Sequence, residues 1–181
     1  MSTRIPRLEF AQLPPALATA LRSRVERLGY LGEFFKCAAH QPDALRSFMQ
    51  FTDDLKVALP DDLTEVVALT VAGVMENQYE RNQHERLCRT LGFSDDWIRA
   101  GNAREPDRDS ALDASQRLVQ RLVIAVIARH GRGVEAEFDA VAESIGAARA
   151  IAALLLIGRY VTHSLIVNTL QLAPPVASIF D

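Results

Sequence analysis

The segment from Leu63 to Arg89 reads LTEVVALTVAGVMENQYERNQHERLCR, and it decides the fold. Its first half is apolar at almost every position, which is typical of a helix that is buried on most sides. Its second half is polar and begins near Asn77, a residue type that commonly caps a helix N-terminus. The segment therefore predicts two consecutive helices, one over about 60–75 and one over about 77–92.

Helical patterns continue on both sides of this segment. No stretch shows the alternation of apolar and polar residues between turns that marks a strand. The β-branched run 122–127 is the nearest candidate, but the polar residues before it continue a helical period. Proline and glycine punctuate the chain, and we predict further helices at about 14–29, 30–40, 42–58, 94 onward, 112–130, 134–145 and 147–170. The sequence predicts an all-α protein with a single domain over residues 1–181.

Composition limits the classes of function. Apolar residues make up 49% of the 181 residues, and the net charge of −3 gives no basic surface for nucleic acid. The only cysteines, Cys37 and Cys88, lie in no metal-binding or redox spacing, so we expect reduced thiols. The N-terminus has no apolar signal core, and the most apolar stretch, Ala150–Gly158, is too short to span a bilayer. We expect a cytoplasmic protein with neither a membrane nor a nucleic acid as partner.

The second helix of the segment carries the clearest candidate for chemistry. Glu80 and His84 are four residues apart, so they share one face of the helix. A carboxylate in that position would hold the imidazole in one tautomer and raise its basicity, which is half of a general acid–base device. Cys88 lies one turn further along the same face.

Structural interpretations of the same residues stay open. Asn77 and Glu80 have the spacing of a helix cap and its reciprocal partner, which needs no catalysis. A Glu–His pair at this spacing often lies on a solvated helix face, and an isolated cysteine such as Cys88 is commonly a small core residue. No third ligand stands at a diagnostic spacing from Glu80 and His84, so we predict no metal site.

Four features of the sequence occur together. They are Ala38-Ala-His-Gln-Pro42 with the helix after it, the apolar helix bearing Glu65, the block Asn77-x-x-Glu80-x-x-x-His84, and the ending Arg89-x-Leu-Gly-Phe-Ser-Asp95. Together they resemble the carboxymuconolactone decarboxylase and alkylhydroperoxidase-D-like family. The resemblance implies an alkylhydroperoxidase-D-like helical bundle with its core at about 34–125. A helix at 14–29 and the helices at 133–172 would then be extensions.

The peroxidase branch of that family uses Cys-x-x-Cys-x-x-x-His with an upstream glutamate. Here Asn77 and Glu80 stand at the two cysteine positions, while His84 and Glu65 match the histidine and the glutamate. Asparagine cannot attack a peroxide and glutamate cannot resolve a sulfenic acid. The resemblance therefore does not carry over the peroxidase mechanism to this chain.

The branch named for decarboxylation needs only acid–base groups. The resemblance implies that Glu80 is the base, that His84 orients it or serves as the acid, and that Glu65 holds the imidazole. We expect burial to raise the pKa values of the carboxyl groups toward neutrality. Tyr79 and Asn77 would contact the substrate, and His163 with Tyr160 is a weaker candidate pair.

These implications lead to one preferred function and two alternatives. The preferred function is a cofactor-free enzyme that acts on a small carbonyl or lactone compound. The alternatives are peroxiredoxin-type antioxidant activity and a helical assembly without catalysis. We expect a homo-oligomer, in which the apolar tail from Ala173 to Phe180 covers a groove on its own chain or on a neighbour's.

Overall fold

The computed structural model describes residues 5–181, and all of its regular structure is helical. A short 3-10 helix, Phe10–Gln12, precedes nine α-helices in the described part of the chain. Their bounds are α1 Pro15–Leu28, α2 Glu33–Ala38, α3 Pro42–Ala58, α4 Asp61–Val74, α5 Gln78–Thr90, α6 Asp95–Ala103, α7 Ala114–Ala128, α8 Glu135–Ile145 and α9 Ala147–Thr169. The all-α prediction is confirmed.

Helix α4 lies at the centre of the bundle. Ten of its fourteen residues are buried, from Leu63 to Ala72, as the nearly continuous apolar sequence predicted. It packs against α5, α6, α7 and α9, while α8 covers α7 and α9. Helices α1 and α2 pack on α3, which in turn packs on α9. The buried residues therefore form two clusters, a larger one around α4 and a smaller one between α1, α2 and α3.

The helix ends follow their local sequence. Asn77 and Ser94 are the N-caps of α5 and α6, and each side chain accepts a backbone hydrogen bond, from Glu80 and Trp97 respectively. The side chain of Asp113 caps α7 in the same way. The predicted helix at 30–40 is shorter in the structure and begins only after Gly32. A Cβ atom at Gly32 would lie 2.7 Å from the hydroxyl of Tyr79, so the chain passes close to α5 there and a larger residue would displace that hydroxyl.

A tight turn joins α4 to α5. Glu76 adopts a left-handed backbone with φ 53, which reverses the chain and lays α5 back against α4. This conformation costs a residue with a side chain on the order of 1 kcal/mol, and packing of the two helices offsets it. The turn matters because it places the polar face of α5 against the middle of α4.

Helix α9 is longer than the apolar stretch on which the sequence prediction rested. With 23 residues and a mean hydropathy of 1.8 over its most apolar window, it is long and apolar enough to cross a membrane. Half of that window is buried inside the protein, against α3, α4 and α8. Arg159 and His163 also interrupt its apolar surface and face the other helices. The packing is that of a core helix in a bundle.

The tail after α9 returns across α5 and packs on its own chain. Asn82 donates a hydrogen bond to the carbonyl oxygen of Val176, and the guanidinium of Arg86 donates to that of Ala177. The ring of Phe180 lies under the guanidinium of Arg99, at 4.0 Å. The sequence left open whether the apolar tail covers a groove on its own chain or on a neighbour's. In the structure the tail packs on its own chain.

Candidate functional site

Helices α4 and α5 bring three of the predicted site residues together. Glu65 comes from the second turn of α4, and Glu80 and His84 lie one turn apart on α5. All three are buried, with Glu65 only 2% exposed. Because the Glu76 turn folds α5 back along α4, residues that are nineteen positions apart come into direct contact.

The imidazole of His84 lies between two carboxylates. Its Nδ1 atom is 2.6 Å from Oε2 of Glu65, and its Nε2 atom is 3.3 Å from Oε2 of Glu80. The edge of the ring meets the ring of Tyr160, with 5.3 Å between the centroids. Both ring nitrogens are therefore occupied by protein carboxylates.

The two flanking carboxylates control the charge of His84. Burial alone would lower the pKa of the imidazole, but the charge of Glu65 and hydrogen bonds to Glu65 and Glu80 raise that pKa to about 9. At neutral pH His84 is therefore an imidazolium that donates from both nitrogens. It is a strong partner for the two carboxylates and has no free lone pair with which to act as a base.

Two residues of α9 complete the surroundings of Glu80. The Nη1 atom of Arg159 donates to Oε1 of Glu80 at 3.1 Å, and its Nε atom donates to the hydroxyl of Thr52 at 3.0 Å. The guanidinium carbon lies 4.3 Å from the ring centre of Tyr160 and 5.0 Å from that of Phe48. Arg159 thus covers the cluster from the side of α3, and its own side chain is only 10% exposed.

His163 approaches Glu80 from the same helix. Its Nδ1 atom lies 3.0 Å from Oε1 of Glu80, which is an ion-pair distance, yet the angle is not that of a hydrogen bond. Burial, together with the charges of Arg159 and His84, lowers the pKa of this imidazole to about 4 against the pull of Glu80. At neutral pH the pair therefore consists of an ionised Glu80 and a neutral His163.

The expected upward shift of the Glu80 pKa is wrong. Burial does favour the protonated carboxyl, but His163, His84 and Arg159 together hold the pKa of Glu80 well below its usual range. The sequence prediction considered burial and not Arg159 and His163, which α9 contributes. Glu80 also does not complete the capping box, since only the Asn77 side chain takes part in the cap of α5.

The two predicted substrate-binding residues make structural contacts. Asn77 accepts from the backbone N–H of Glu80, and its amide nitrogen donates to Ser164 at 3.0 Å. The hydroxyl of Tyr79 accepts from the backbone N–H of Phe34 at 3.4 Å. Both residues also line a cavity of about 390 Å³ between the Glu76 turn and the end of α9, together with Glu76, Gln78, Val167, Asn168, Gln171, Leu172 and Pro174.

The cysteines are buried free thiols that lie in different helices. The Sγ atom of Cys88 donates to Oε2 of Glu65 at 3.6 Å. Burial and the neighbouring charge of Glu65 raise the pKa of the Cys88 thiol, and burial raises that of Cys37. Neither thiol has the lowered pKa that a reactive thiolate needs. Among residues 5–181, no group of three or more His, Cys, Asp or Glu side chains is arranged to hold a metal ion.

The sequence pattern missed Arg159 and Thr52 as parts of this cluster. Arg159 ends the apolar run of α9, and an arginine at that point in a buried helix is itself a signal, since buried charges are usually paired. Its partner Glu80 is 79 residues away along the chain, so the pairing has no local pattern. Thr52 lies in the middle of α3 and carries no such signal.

Comparison of the sequence with protein-family models and with curated proteins finds no match. Comparison of the structure finds an uncharacterised peroxidase-related protein from Ralstonia eutropha JMP134, described as having an alkylhydroperoxidase AhpD core. It aligns with a TM-score of 0.82 and 19% identity over 94% of this chain and 91% of that one.

Two further structures give the same result. A debrominase, Bmp8, in complex with 2,3,4-tribromopyrrole aligns with a TM-score of 0.80 and 16% identity over 96% of this chain and 92% of that one. A protein of unknown function from Agrobacterium tumefaciens, described as a putative antioxidant defence protein AhpD, aligns with a TM-score of 0.69 and 18% identity over 77% and 96%. The protein therefore has the alkylhydroperoxidase-D-like fold that the sequence resemblance predicted.

Proposed function

We propose that the protein is a cofactor-free acid–base enzyme that acts on a small carbonyl or lactone compound. The observation that carries this proposal is the buried cluster of Glu65, Glu80 and His84, in which the His84 imidazole lies 2.6 Å from one carboxylate and 3.3 Å from the other. Such a network of titratable groups in a closed environment is the arrangement that moves protons in enzymes.

The neighbouring cavity supports a small-molecule substrate. Tyr79 forms part of its wall and precedes Glu80 on α5, while Glu65, Glu80 and His84 do not themselves line the cavity. A volume of about 390 Å³ is within the range of small-ligand sites. The debrominase of the same fold is described in complex with tribromopyrrole, a ligand of that size class.

Peroxidase activity, the first alternative, has less support. It needs a thiolate and a resolving thiol, whereas Cys37 and Cys88 are buried, lie in different helices and have raised pKa values. The second alternative, a helical assembly without catalysis, does not explain why Glu65, Glu80, His84 and His163 are buried together. Burial of such titratable side chains costs stability, and an assembly does not require it.

We also infer that the protein forms a homo-oligomer. The tail packs on its own chain, and α9 exposes a row of large apolar residues. Ile151, Leu155 and Leu165 are 49%, 46% and 56% exposed, and Val57 at the end of α3 is 89% exposed. Light scattering should give a mass above 20.0 kDa that falls toward it in Leu155→Arg.

The proposed function is tested by a screen of lactones and keto acids with protein dialysed against a chelator. We expect the wild type to convert at least one compound, and His84→Gln to lose about 10²–10⁴-fold in rate because the proton network is interrupted. Cys88→Ser, which is matched in size, should retain the activity.

Two results would contradict this assignment. One is conversion of no compound by the wild type, or conversion that His84→Gln leaves unchanged. The other is consumption of peroxide with a dithiol reductant that Cys88→Ser abolishes. The second result would favour the peroxidase alternative.

A further inference from the structure

The chain contains only two lysines, and their surroundings differ. All of its other 20 basic residues, counted without histidine, are arginines except Lys36 and Lys56. Lys36 is ion-paired with Glu9 at 2.9 Å and with Glu33 at 3.3 Å. Lys56, near the end of α3, forms no ion pair or hydrogen bond with any residue in the described range 5–181. Arginine supplies nearly every cation of this chain, so a lysine without a partner calls for a reason other than charge.

Two guanidinium groups flank the side chain of Lys56. Arg159 of α9 donates to the hydroxyl of Thr52 at 3.0 Å. Arg24 of α1 is ion-paired with Asp53. Thr52 and Asp53 lie one turn before Lys56 on α3, and a helical side chain covers the turn that precedes its own Cα atom. The side chain of Lys56 therefore lies over the two positions that the arginines contact.

These surroundings favour the neutral amine of Lys56. Burial lowers the pKa of its ammonium below the ordinary 10.5. The charges of Glu65 and Glu80 act against this shift, and those of Arg159 and Arg24 add to it, so that the pKa remains lowered. A larger fraction of Lys56 is therefore a free amine at neutral pH than of an ordinary lysine.

The amine lies at an accessible edge of the buried cluster. Its side chain is half-buried, and its nitrogen is not one of the enclosed polar atoms without a partner, so solvent reaches it. The next residue, Val57, is 89% exposed, which places this end of α3 at the surface. On the inner side, the guanidinium of Arg159 that contacts Thr52 also donates to Glu80 at 3.1 Å. A small compound in contact with the amine would therefore lie beside the residue that covers the cluster.

We propose that Lys56 is a nucleophilic amine that binds the carbonyl group of the substrate covalently, as a Schiff base. This inference rests on the proposed acid–base function and narrows its substrates to aldehydes and ketones, including keto acids, because a lactone does not form an imine. A lysine that is desolvated and placed beside another cationic group is activated for this chemistry.

The step needs only water as a further reactant. The free amine of Lys56 attacks the carbonyl carbon, and the electron pair of the C=O bond moves to the oxygen. That oxygen takes one proton from the nitrogen and one from solvent and leaves as water, so that a protonated C=N bond remains. The positive nitrogen then accepts the electron pair of an adjacent C–H bond, whose proton passes to water. Return of a proton to carbon and hydrolysis of the C=N bond release the product and Lys56.

Reductive trapping tests the amine without any turnover. Sodium cyanoborohydride converts an imine to a stable secondary amine, and pyruvate serves as the probe. We expect peptide mass spectrometry of the wild type at pH 7 to find the adduct forming on Lys56 at least about tenfold faster than on Lys36. The hydrogen bond to Glu9 raises the pKa of Lys36, and each unit of pKa changes the free-amine fraction about tenfold. Equal rates, or no adduct on Lys56, would overturn the inference.

The flanking charge is tested by Arg24→Gln. This substitution removes one cation beside Lys56 and leaves the Asp53 carboxylate without its ion pair. Both changes stabilise the ammonium of Lys56, so the pH profile of trapping should move to higher pH. Lys36→Arg is the control and should leave the profile where it is. An unmoved profile in Arg24→Gln would contradict the activation of Lys56 by its surroundings.

Kinetics test the role of the amine in turnover. Lys56→Arg keeps the positive charge but cannot form an imine. We expect it to lose the adduct and to lower kcat about 10²-fold or more for the compound that the screen identifies, with an unchanged midpoint of urea unfolding. Lys36→Arg should retain both the adduct on Lys56 and the turnover.

The outcomes separate the two proposals. If His84→Gln abolishes turnover and Lys56→Arg does not, or if the screen finds only lactones as substrates, the inference fails and the proposed function stands. If pyruvate is trapped on Lys56 but the wild type converts no compound, the proposed function fails, and of the inference only the reactive amine stands.

Discussion

Helix α5 carries two buried glutamates with different surroundings. Glu80 is 6% exposed and contacts three side chains that can be cationic, those of His84, Arg159 and His163. Glu85 is 1% exposed and has neutral donors instead. Asn102 donates to it at 2.9 Å, Ser178 at 2.6 Å and the backbone N–H of Ile179 at 3.2 Å.

The difference shows how the same residue type acquires two roles on one helix. Neutral amide and hydroxyl donors do not change charge near neutral pH. The side of α5 that bears Glu85, the Glu85 face, therefore holds the tail and α6 in place whatever the charge on the imidazoles. The nearest cation, Nε of Arg81, lies 3.6 Å from Oε1 of Glu85, which is an ion-pair distance but too long for a hydrogen bond. The imidazoles around Glu80 do change charge, His163 as the pH falls toward 4 and His84 as it rises toward 9, so protonation and structure are coupled on that face.

The largest expected effect is on turnover. Glu80→Gln should lower the rate about 10²–10⁴-fold, because an amide can neither exchange a proton nor balance the charge of the His84 imidazolium. Glu85→Gln is the matched control and should retain turnover within about threefold, although each variant should lose about 1–3 kcal/mol of stability to an imperfect hydrogen-bond set. Steady-state rates and urea unfolding of both variants provide the measurement. Equal losses of turnover would show that the two faces do not differ in function.

The next largest effect is on the pH dependence of stability. The folded-state pKa of His84 is about 9, above the ordinary 6.5, so its stabilisation is complete below pH 6.5. That stabilisation is lost as the pH rises through 9, and it amounts to about 3 kcal/mol. The free energy of unfolding of the wild type should therefore fall between pH 6.5 and pH 10 by about that much more than that of His84→Gln. Urea titrations at the two pH values measure this difference. Parallel pH profiles would show that His84 is not the titrating group.

The sequence was informative about the Glu80 face only where the contacts are local. The spacing of Glu80 and His84 and the apolar helix bearing Glu65 predicted that these three converge, because two consecutive antiparallel helices have few ways to pack. Arg159 and His163 approach from α9, about eighty residues away, and nothing in the intervening sequence specifies which turn of α9 faces α5. The predicted pKa shift of Glu80 was wrong in sign for this reason.

The Glu85 face was less predictable still. The sequence around Glu85 has no feature that marks it as buried, and arginine on both sides suggests a solvated surface. Its partners come from α6 and from the tail, and the contact with Ser178 spans 93 residues. Burial of Glu85 depends on the tail. The apolar composition of the tail predicted that it packs on a protein surface, but it did not specify which surface.

The smallest expected effect concerns the contact between the tail and Glu85. Ser178→Ala removes the 2.6 Å hydrogen bond to Oε2 of Glu85 and the acceptor for the backbone N–H of Phe180. The Ile179 N–H still donates to the same oxygen, so the carboxylate keeps a partner. We therefore expect a loss of about 1–2 kcal/mol in the free energy of unfolding, with turnover unchanged.

A double-mutant cycle with Glu85→Gln separates this contact from general loosening of the tail. If Ser178 acts through Glu85, the two substitutions should couple by at least about 0.5 kcal/mol, since they remove the same hydrogen bond. Additive losses would mean that Ser178 holds the tail through Phe180 alone. In that case Glu85 would depend on Asn102 and Ile179, and the tail would contribute to its burial only through its backbone.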